Sequence, residues 1–570
     1  MPTERSAAAL LSALMRLRSD LDAAPLRLDL GDVEKARVTR RETIDQLEDY
    51  VLPRLVQLDA PLLAVVGGST GAGKSTLVNS IVGKPVTESG VLRPTTRSPV
   101  LVHHPSEAHW FAPERILPDL ARTTSPSNDI SALRLVSTPA VPAGLAILDA
   151  PDVDSVDVSN RELAAQLLAA ADLWLFVTSS ARYADQVPWD FLQSAARRSA
   201  AVAVVLDRTP AQSLSEVQRH LARMMTSRGL KDSPLFTVPE APVDSDGLLP
   251  PDAVATIRDW LQDLAVDTDV RDAIVTQTLD GAVRQIIFRA HDVADAAHEE
   301  SRALVHLVAS ADLAHDDQQQ ALEVALADGT VVSGALAARW QDFVGSGDLV
   351  RSLEDRVSRI RSRVVDSVTG RRDRSGEVLA AVEHAVDLTL LEHAERLAEA
   401  TERAWVASSE GRAVVDAHGG GLGKAPRDFR MRAERTVRDW LGAVLVLVRE
   451  GVADKRLNAN VLAMGVNGLA AAVSVAVLTR ASDRTDDAAG DSGRRLLDAV
   501  LGAAEVEVLL DRARLDLQLR SSALLRSERE RFAALLSRFD AGGRAADNIR
   551  EAARRAEDAR HTDLLPDWDE

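Results

Sequence analysis

LLAVVGGSTGAGKSTLVNSIVG, residues 62–83, decides the fold of this chain. An apolar run comes first, then a glycine-rich loop closing on Gly73-Lys74-Ser75, then an amphipathic helical pattern. Gly68-Ser69-Thr70-Gly71-Ala72-Gly73-Lys74-Ser75 matches G-x-x-x-x-G-K-[ST] in full. The glycines let backbone N–H groups turn inward around phosphates, and the helix behind them adds its positive end. Lys74 is expected to reach the β- and γ-phosphates, and the Ser75 hydroxyl to ligate Mg²⁺. Gly68 through Thr76 form the expected binding loop. A second, similar stretch, GGGLGKAP at 419–426, has Ala425 where the hydroxyl is needed and no apolar strand before it. It reads as a joint between helices.

Composition bounds what surrounds the loop. The chain has 570 residues, too many for one core, so two or three domains are expected. Ala, Leu, Val, Arg, Asp and Glu dominate while aromatics are only 3%, which favours helices. There are no cysteines, which excludes disulfides and thiolate chemistry and fits a reducing cytoplasm. The net charge of −19 argues against a nucleic-acid-coating protein. The N-terminal MPTERSAAALLSALMRL lacks a long apolar core behind a basic start, so no signal peptide is expected.

Three regions follow. Residues 1–58 read as two amphipathic helices expected to pack on a helical stalk. Residues 59–265 alternate apolar runs with helical patterns, the signature of a doubly wound α/β domain with a mostly parallel sheet. Its expected strands are PLLAVVG, SPVLVHH, AGLAILDAP, DLWLFVTSS, AAVAVVLD and SPLFTVP. Residues 266–550 carry no strand signal and read as an extended all-α stalk, with 551–570 a helix end and an acidic tail.

Two kinds of phosphate-loop protein compete. A transporter-type ATPase needs a Leu-Ser-Gly-Gly-Gln-like signature and a strand ending in Asp-Glu; here Ala150 follows Asp149. A switch GTPase needs a mobile Thr, an Asp-x-x-Gly and a base-reading Asn-Lys-x-Asp along successive strands. The chain order agrees: RPTTRSPVLV, then LAILDAPDVDS, then AVAVVLDRTP. With GGSTGAGKSTLVNSIVG and a long helical remainder, the chain resembles the bacterial dynamin-like GTPases, of the actinobacterial type.

That resemblance implies roles. Thr96 becomes the switch-I threonine sensing Mg²⁺ and the γ-phosphate, with Thr95 the alternative. Asp149 holds Mg²⁺ through water, completing a metal set of Ser75, Thr96 and Asp149. Asp207 and Arg208 occupy the base-reading place, with the Arg208 stem able to stack on the base. Thr70 stands where many dynamins have a water-positioning Gln, so Lys74, Thr96 and Thr70 form the expected catalytic set. Two departures stand out. Asp152 replaces the glycine of Asp-x-x-Gly, and repulsion from a γ-phosphate leads one to expect it to point away or the loop to sit open. Pro210 replaces the carboxylate that would read guanine.

The other distinctive stretch is NVLAMGVNGLAAAVSVAVLTR, whose residues 461–478 are uncharged. Eighteen helical residues span about 27 Å, near a bilayer's hydrocarbon thickness. It reads equally as a buried helix of a bundle; the resemblance tilts it towards a membrane-contacting hairpin, 461–510. The expected function is thus Mg²⁺-dependent GTP hydrolysis coupled to self-association or membrane remodelling. Its expected partners are guanine nucleotide, membrane lipid through 461–480 and a second copy or paired paralogue, on the inner face of the cell membrane. A nucleotide-gated scaffold with little hydrolysis, and an ATP-using protein, are the alternatives.

Overall fold

The computed structural model describes residues 4–24, 26–88, 98–113, 115–127, 129–155, 157–197, 200–345, 364–452, 459–480, 488–539 and 543–563. The first elements are α1 (Glu4–Asp22), α2 (Val33–Gln46), a π-helical turn (Leu47–Val51), α3 (Leu52–Val56), β1 (Leu62–Gly68) and α4 (Lys74–Val82). Then come β2 (Val100–His103), β3 (Ala121–Thr123), β4 (Ala132–Ser137), β5 (Leu145–Asp149), α5 (Val158–Ala169) and β6 (Leu173–Ser179). They are followed by α6 (Gln186–Arg197), β7 (Ala201–Thr209), α7 (Leu214–Ser227), β8 (Leu235–Pro239), α8 (Pro251–Val266) and α9 (Thr268–Ala325). The rest is helical: α10 (Gly334–Val344), α11 (Val364–Val406), α12 (Ser409–His418), α13 (Phe429–Val452), α14 (Ala459–Leu478), α15 (Ala488–Leu501), α16 (Ala503–Leu536) and α17 (Ala545–Asp563).

These elements form two units: residues 1–26, 32–298 and 541–570, and residues 27–31 with 299–540. The first holds an eight-stranded sheet of order β3-β4-β2-β5-β1-β6-β7-β8. Neighbours are parallel except β2 against β5. Six strands coincide with the six apolar runs. The other two, β3 and β4, escape sequence reading because β3 is short and both carry partly exposed positions that blur the pattern.

Why the strands read as continuous apolar runs is visible in the core. On β1, Leu62, Ala64 and Val66 face one cluster with Leu77, Val78 and Ile81 of α4 and Ile257 and Leu261 of α8. The alternate residues Leu63 and Val65 face a second cluster with Leu163 and Leu167 of α5. A strand buried on both faces has no polar side to alternate with. The second cluster extends through Leu10, Leu14, Leu17 and Leu21 of α1, the first part of α9 and Ile549 of α17.

The domain boundaries differ from those expected. The helices of residues 1–58 belong with the sheet, because α1's leucine stripe packs in the sheet's own core with α17. The division falls inside α9, between residues 298 and 299, rather than at 266. Helix α17 rejoins the sheet unit, tied by Arg560 Nη1 to Asp280 at 2.5 Å. The tail 564–570 lies outside the described residues.

The second unit is all-α, its core anchored by Trp340, Trp405, Trp440, Phe429 and Phe532. Helix α14 sits inside this core from Met464 onward. Residues 469–478 are at most 5% exposed. Gly465 at φ 67° breaks the helix, so only 466–478 runs on unbroken, about 20 Å of axis against a hydrocarbon core of about 30 Å. Arg480, just beyond the helix, pairs with Glu507 and Asp511, both at 3.1 Å. Among the described residues no helix is long and apolar enough to cross a membrane. An apolar interior helix and a lipid-facing one carry the same sequence pattern; packing partners separate them.

Candidate functional site

The loop lies where the sheet's topology leaves a crevice. Strand β1 is flanked by β5 and β6, and the chain crosses over β1 between them, so the carboxyl ends of three neighbouring strands open onto one place. From β1, Gly68 through Gly73 turn into α4, whose first residues are Lys74 and Ser75. The glycines are required. A Cβ on Gly68 (φ +146°) would lie 2.0 Å from the Val177 carbonyl oxygen of β6, and one on Gly73 (φ +103°) 2.1 Å from Asp207 Oδ2. The loop is held internally by Ala72 N–H donating to Ser69 O at 3.1 Å, while Thr76 accepts from Ser80 Oγ in the next turn. All nine expected loop residues, Gly68 to Thr76, are therefore brought together.

Asp149 ends β5 beside this loop and is fully buried. Its Oδ2 accepts hydrogen bonds from Ser75 Oγ at 2.7 Å and Thr87 Oγ1 at 2.8 Å. Its Oδ1 is buried with no hydrogen-bond partner, and burial raises the carboxyl above the usual carboxylate range. A buried carboxylate oxygen without a partner, next to a serine hydroxyl, fits a small hard cation that keeps most of its waters and takes its other ligands from phosphate. Thr95 and Thr96 lie outside the described residues.

Thr87 is the residue that sequence reasoning missed. Asn79 of α4 places it: Asn79 Oδ1 accepts from Val86 N (2.8 Å) and Thr87 N (2.9 Å), while its Nδ2 donates to Thr87 O at 2.9 Å. A single threonine in KPVTES carries no signal of its own; only the fold brings it to Asp149.

Asp152 points into the loop, ion-paired with the Lys74 ammonium, rather than away from it. The same ammonium also donates to Gly68 O (3.2 Å) and Ser69 O (3.3 Å). Asp154 follows on the chain, its Oδ1 accepting from Thr70 N (2.5 Å) and Thr70 Oγ1 (2.7 Å). Arg182 donates to Asp154 Oδ2 at 3.0 Å.

At the end of β7, Asp207 is buried and packs against Gly73, its Oδ1 accepting from Arg208 N at 2.7 Å. Arg208 adopts φ 47°, rare for a side chain with a Cβ, and its carbonyl accepts from Ser180 Oγ at 3.3 Å. Both residues thus border the loop, with Arg208 exposed.

Burial pushes Asp207 up to about 6, and does the same for Asp49, which accepts from Gln166 Nε2 at 2.8 Å away from the loop. Between about pH 4 and pH 6 the folded chain holds protons that the unfolded chain has released. Stability therefore falls as pH rises through that window and levels off above it. Asp49→Asn is expected to gain about 2 kcal/mol above pH 7 and to make the profile between pH 4 and 6 shallower, with the Asp207 contribution remaining, measured by denaturant melts at a series of pH values.

The fold and loop together define a phosphate-loop α/β protein with an additional all-α unit. No family model matches the chain, and no curated protein matches it. Among solved structures it is similar to one component of an oligomerised bacterial dynamin pair described as sensing and tethering membranes over long range. That match is 9% identical over 93% of this chain and 96% of that one, with a TM-score of 0.40. A second chain described in the same words is 12% identical over 98% and 82%, at 0.28. The LeoA bacterial dynamin GTPase from ETEC is 11% identical over 99% and 98%, at 0.23.

Proposed function

We propose that this chain is a Mg²⁺-dependent, GTP-binding, dynamin-like protein whose nucleotide state biases helix packing and self-association, with a second copy or a paired paralogue as partner. The observation that carries the nucleotide part is the junction of loop and β5: Lys74 and Ser75 open α4 while Asp149 presents a buried, unpartnered oxygen beside Ser75. Mg²⁺ at Ser75 and Asp149 would neutralise charge on the β- and γ-phosphates. Around it the chain's own groups bind and orient. The loop amides hold phosphate oxygens, Lys74 adds a point charge, Thr87 and Asn79 fix the Asp149 carboxylate, and Arg208 offers its stem to a base. The guanine preference is supported by the order of motifs along β1, β5 and β7.

Turnover is proposed to be slow, because Thr70, at the place for orienting an attacking water, is engaged by Asp154. The burial of α14 favours nucleotide-gated association over insertion of residues 461–480 into lipid. The absence of cysteine supports a cytoplasmic setting.

Calorimetric titration of the full chain with GTP, GDP and ATP, with and without Mg²⁺, tests this. Guanine nucleotides are expected to bind more tightly with Mg²⁺ than without, and Lys74→Ala to lose at least about tenfold in affinity. Tighter binding of ATP than of GTP would refute the guanine assignment.

A further inference from the structure

We propose that Asp152 is a built-in stand-in for the terminal phosphate, and that it makes this loop favour nucleoside diphosphates over triphosphates. The inference rests on the nucleotide reading above and concerns which phosphate chain the site prefers.

An ammonium has three protons to donate and no acceptor. Lys74 spends them on Gly68 O, Ser69 O and an Asp152 carboxylate oxygen, and is itself only 6% exposed. Two of the three acceptors are carbonyls of the loop that any bound nucleotide would leave in place. The third is an anion brought in from the segment after β5. That segment is fastened down: Ala150 N–H donates to Val66 O at 3.1 Å and Val153 N–H to Gly68 O at 3.3 Å. Asp154 is tied to Thr70 on one oxygen and to Arg182 on the other. Asp152 therefore meets Lys74 from a braced backbone, beside the strand whose Asp149 faces Ser75.

The position corresponds to the outer end of a phosphate chain. The first turn of α4 has amides that the helix itself cannot satisfy, and these suit the inner phosphates. Lys74 would reach the β- and γ-phosphates, and a metal held at Ser75 would neutralise charge there. A diphosphate leaves the outer position free, so Asp152 can share Lys74 with a β-phosphate oxygen while the loop and the first turn of α4 hold the rest. A triphosphate needs the ammonium for its γ-oxygens and must displace the carboxylate. The displaced carboxylate then sits next to a phosphate of like charge, in a site where burial weakens screening. Asp152 thus lowers triphosphate affinity selectively. An isosteric amide at the same place keeps the shape and removes the charge.

The experiment measures binding of GDP and of a non-hydrolysable GTP analogue, with Mg²⁺, to the full-length wild type, Asp152→Asn and Asp152→Gly. Thermal melts confirm that each variant is folded, and the isosteric Asn variant carries the test where Gly loosens the segment. The wild type is expected to bind GDP roughly tenfold or more tightly than the analogue, and Asp152→Asn to move that ratio at least about tenfold towards the triphosphate. A ratio unchanged within about twofold in Asp152→Asn, with both nucleotides bound, overturns the proposal and leaves the nucleotide site standing. Failure of the wild type to bind either nucleotide refutes the nucleotide site itself, and the stand-in role with it.

Discussion

Val473→Asp is expected to unfold the all-α unit at concentrations of denaturant that leave the wild type native. Val473 is fully buried in α14, and its neighbours Leu469 to Leu478 are at most 5% exposed. The core around it is built of aliphatic and aromatic side chains. A carboxyl placed there either ionises without a partner or takes up a proton far above its usual range, and both routes cost several kcal/mol. A loss of roughly 3–5 kcal/mol would be a large share of the stability of a domain this size. Guanidinium melts followed by circular dichroism read it directly. Were this segment a lipid-facing hairpin tip, the substitution would leave the melt unchanged in water and alter only vesicle binding.

The second large effect is expected at Gly68→Ala. The new methyl would be placed 2.0 Å from Val177 O, 2.9 Å from Val177 C and 3.1 Å from Val177 N, all backbone atoms of the strand that pairs with β1. None can move without parting β1 from β6, and φ of +146° is itself unfavourable for alanine. The loop that follows would be carried away from Asp149 and β6. A destabilisation of about 3 kcal/mol or more, together with loss of nucleotide binding, is expected in urea melts and calorimetry. Wild-type stability in this variant would show that β1 and β6 can separate locally without cost.

Part of this was legible in the sequence for physical reasons. The phosphate loop is local: its residue types, spacing and the strand and helix around it are fixed by what a backbone needs to wrap an anion. The strands β1, β5, β6 and β7 are legible because burial on both faces demands unbroken apolar runs. The contacts that set the site's behaviour are not local. The pairing of Asp152 with Lys74, 78 positions away, cannot be read from spacing. Thr87 gave no signal because its role comes from Asn79 and Asp149 together. The leucine stripe of α1 announced a helix, yet its partner α17 lies at the other end of the chain. Residues 461–478 were ambiguous because hydrophobicity reports that a helix avoids water, not what takes the water's place.

The pairing of α1 with α17 bears on how the protein is made. The sheet unit is left by the chain after residue 298 and regained only at 541. A ribosome therefore releases α1, with Leu10, Leu14, Leu17 and Leu21 on its apolar stripe, long before it synthesises Ile549, Ala552 and Ala553, which complete their surroundings. Throughout synthesis of the intervening all-α unit, the body that carries the phosphate loop has an unfinished core. The nascent chain thus leaves the α17 side of that leucine stripe uncovered until residues 545–563 have been made.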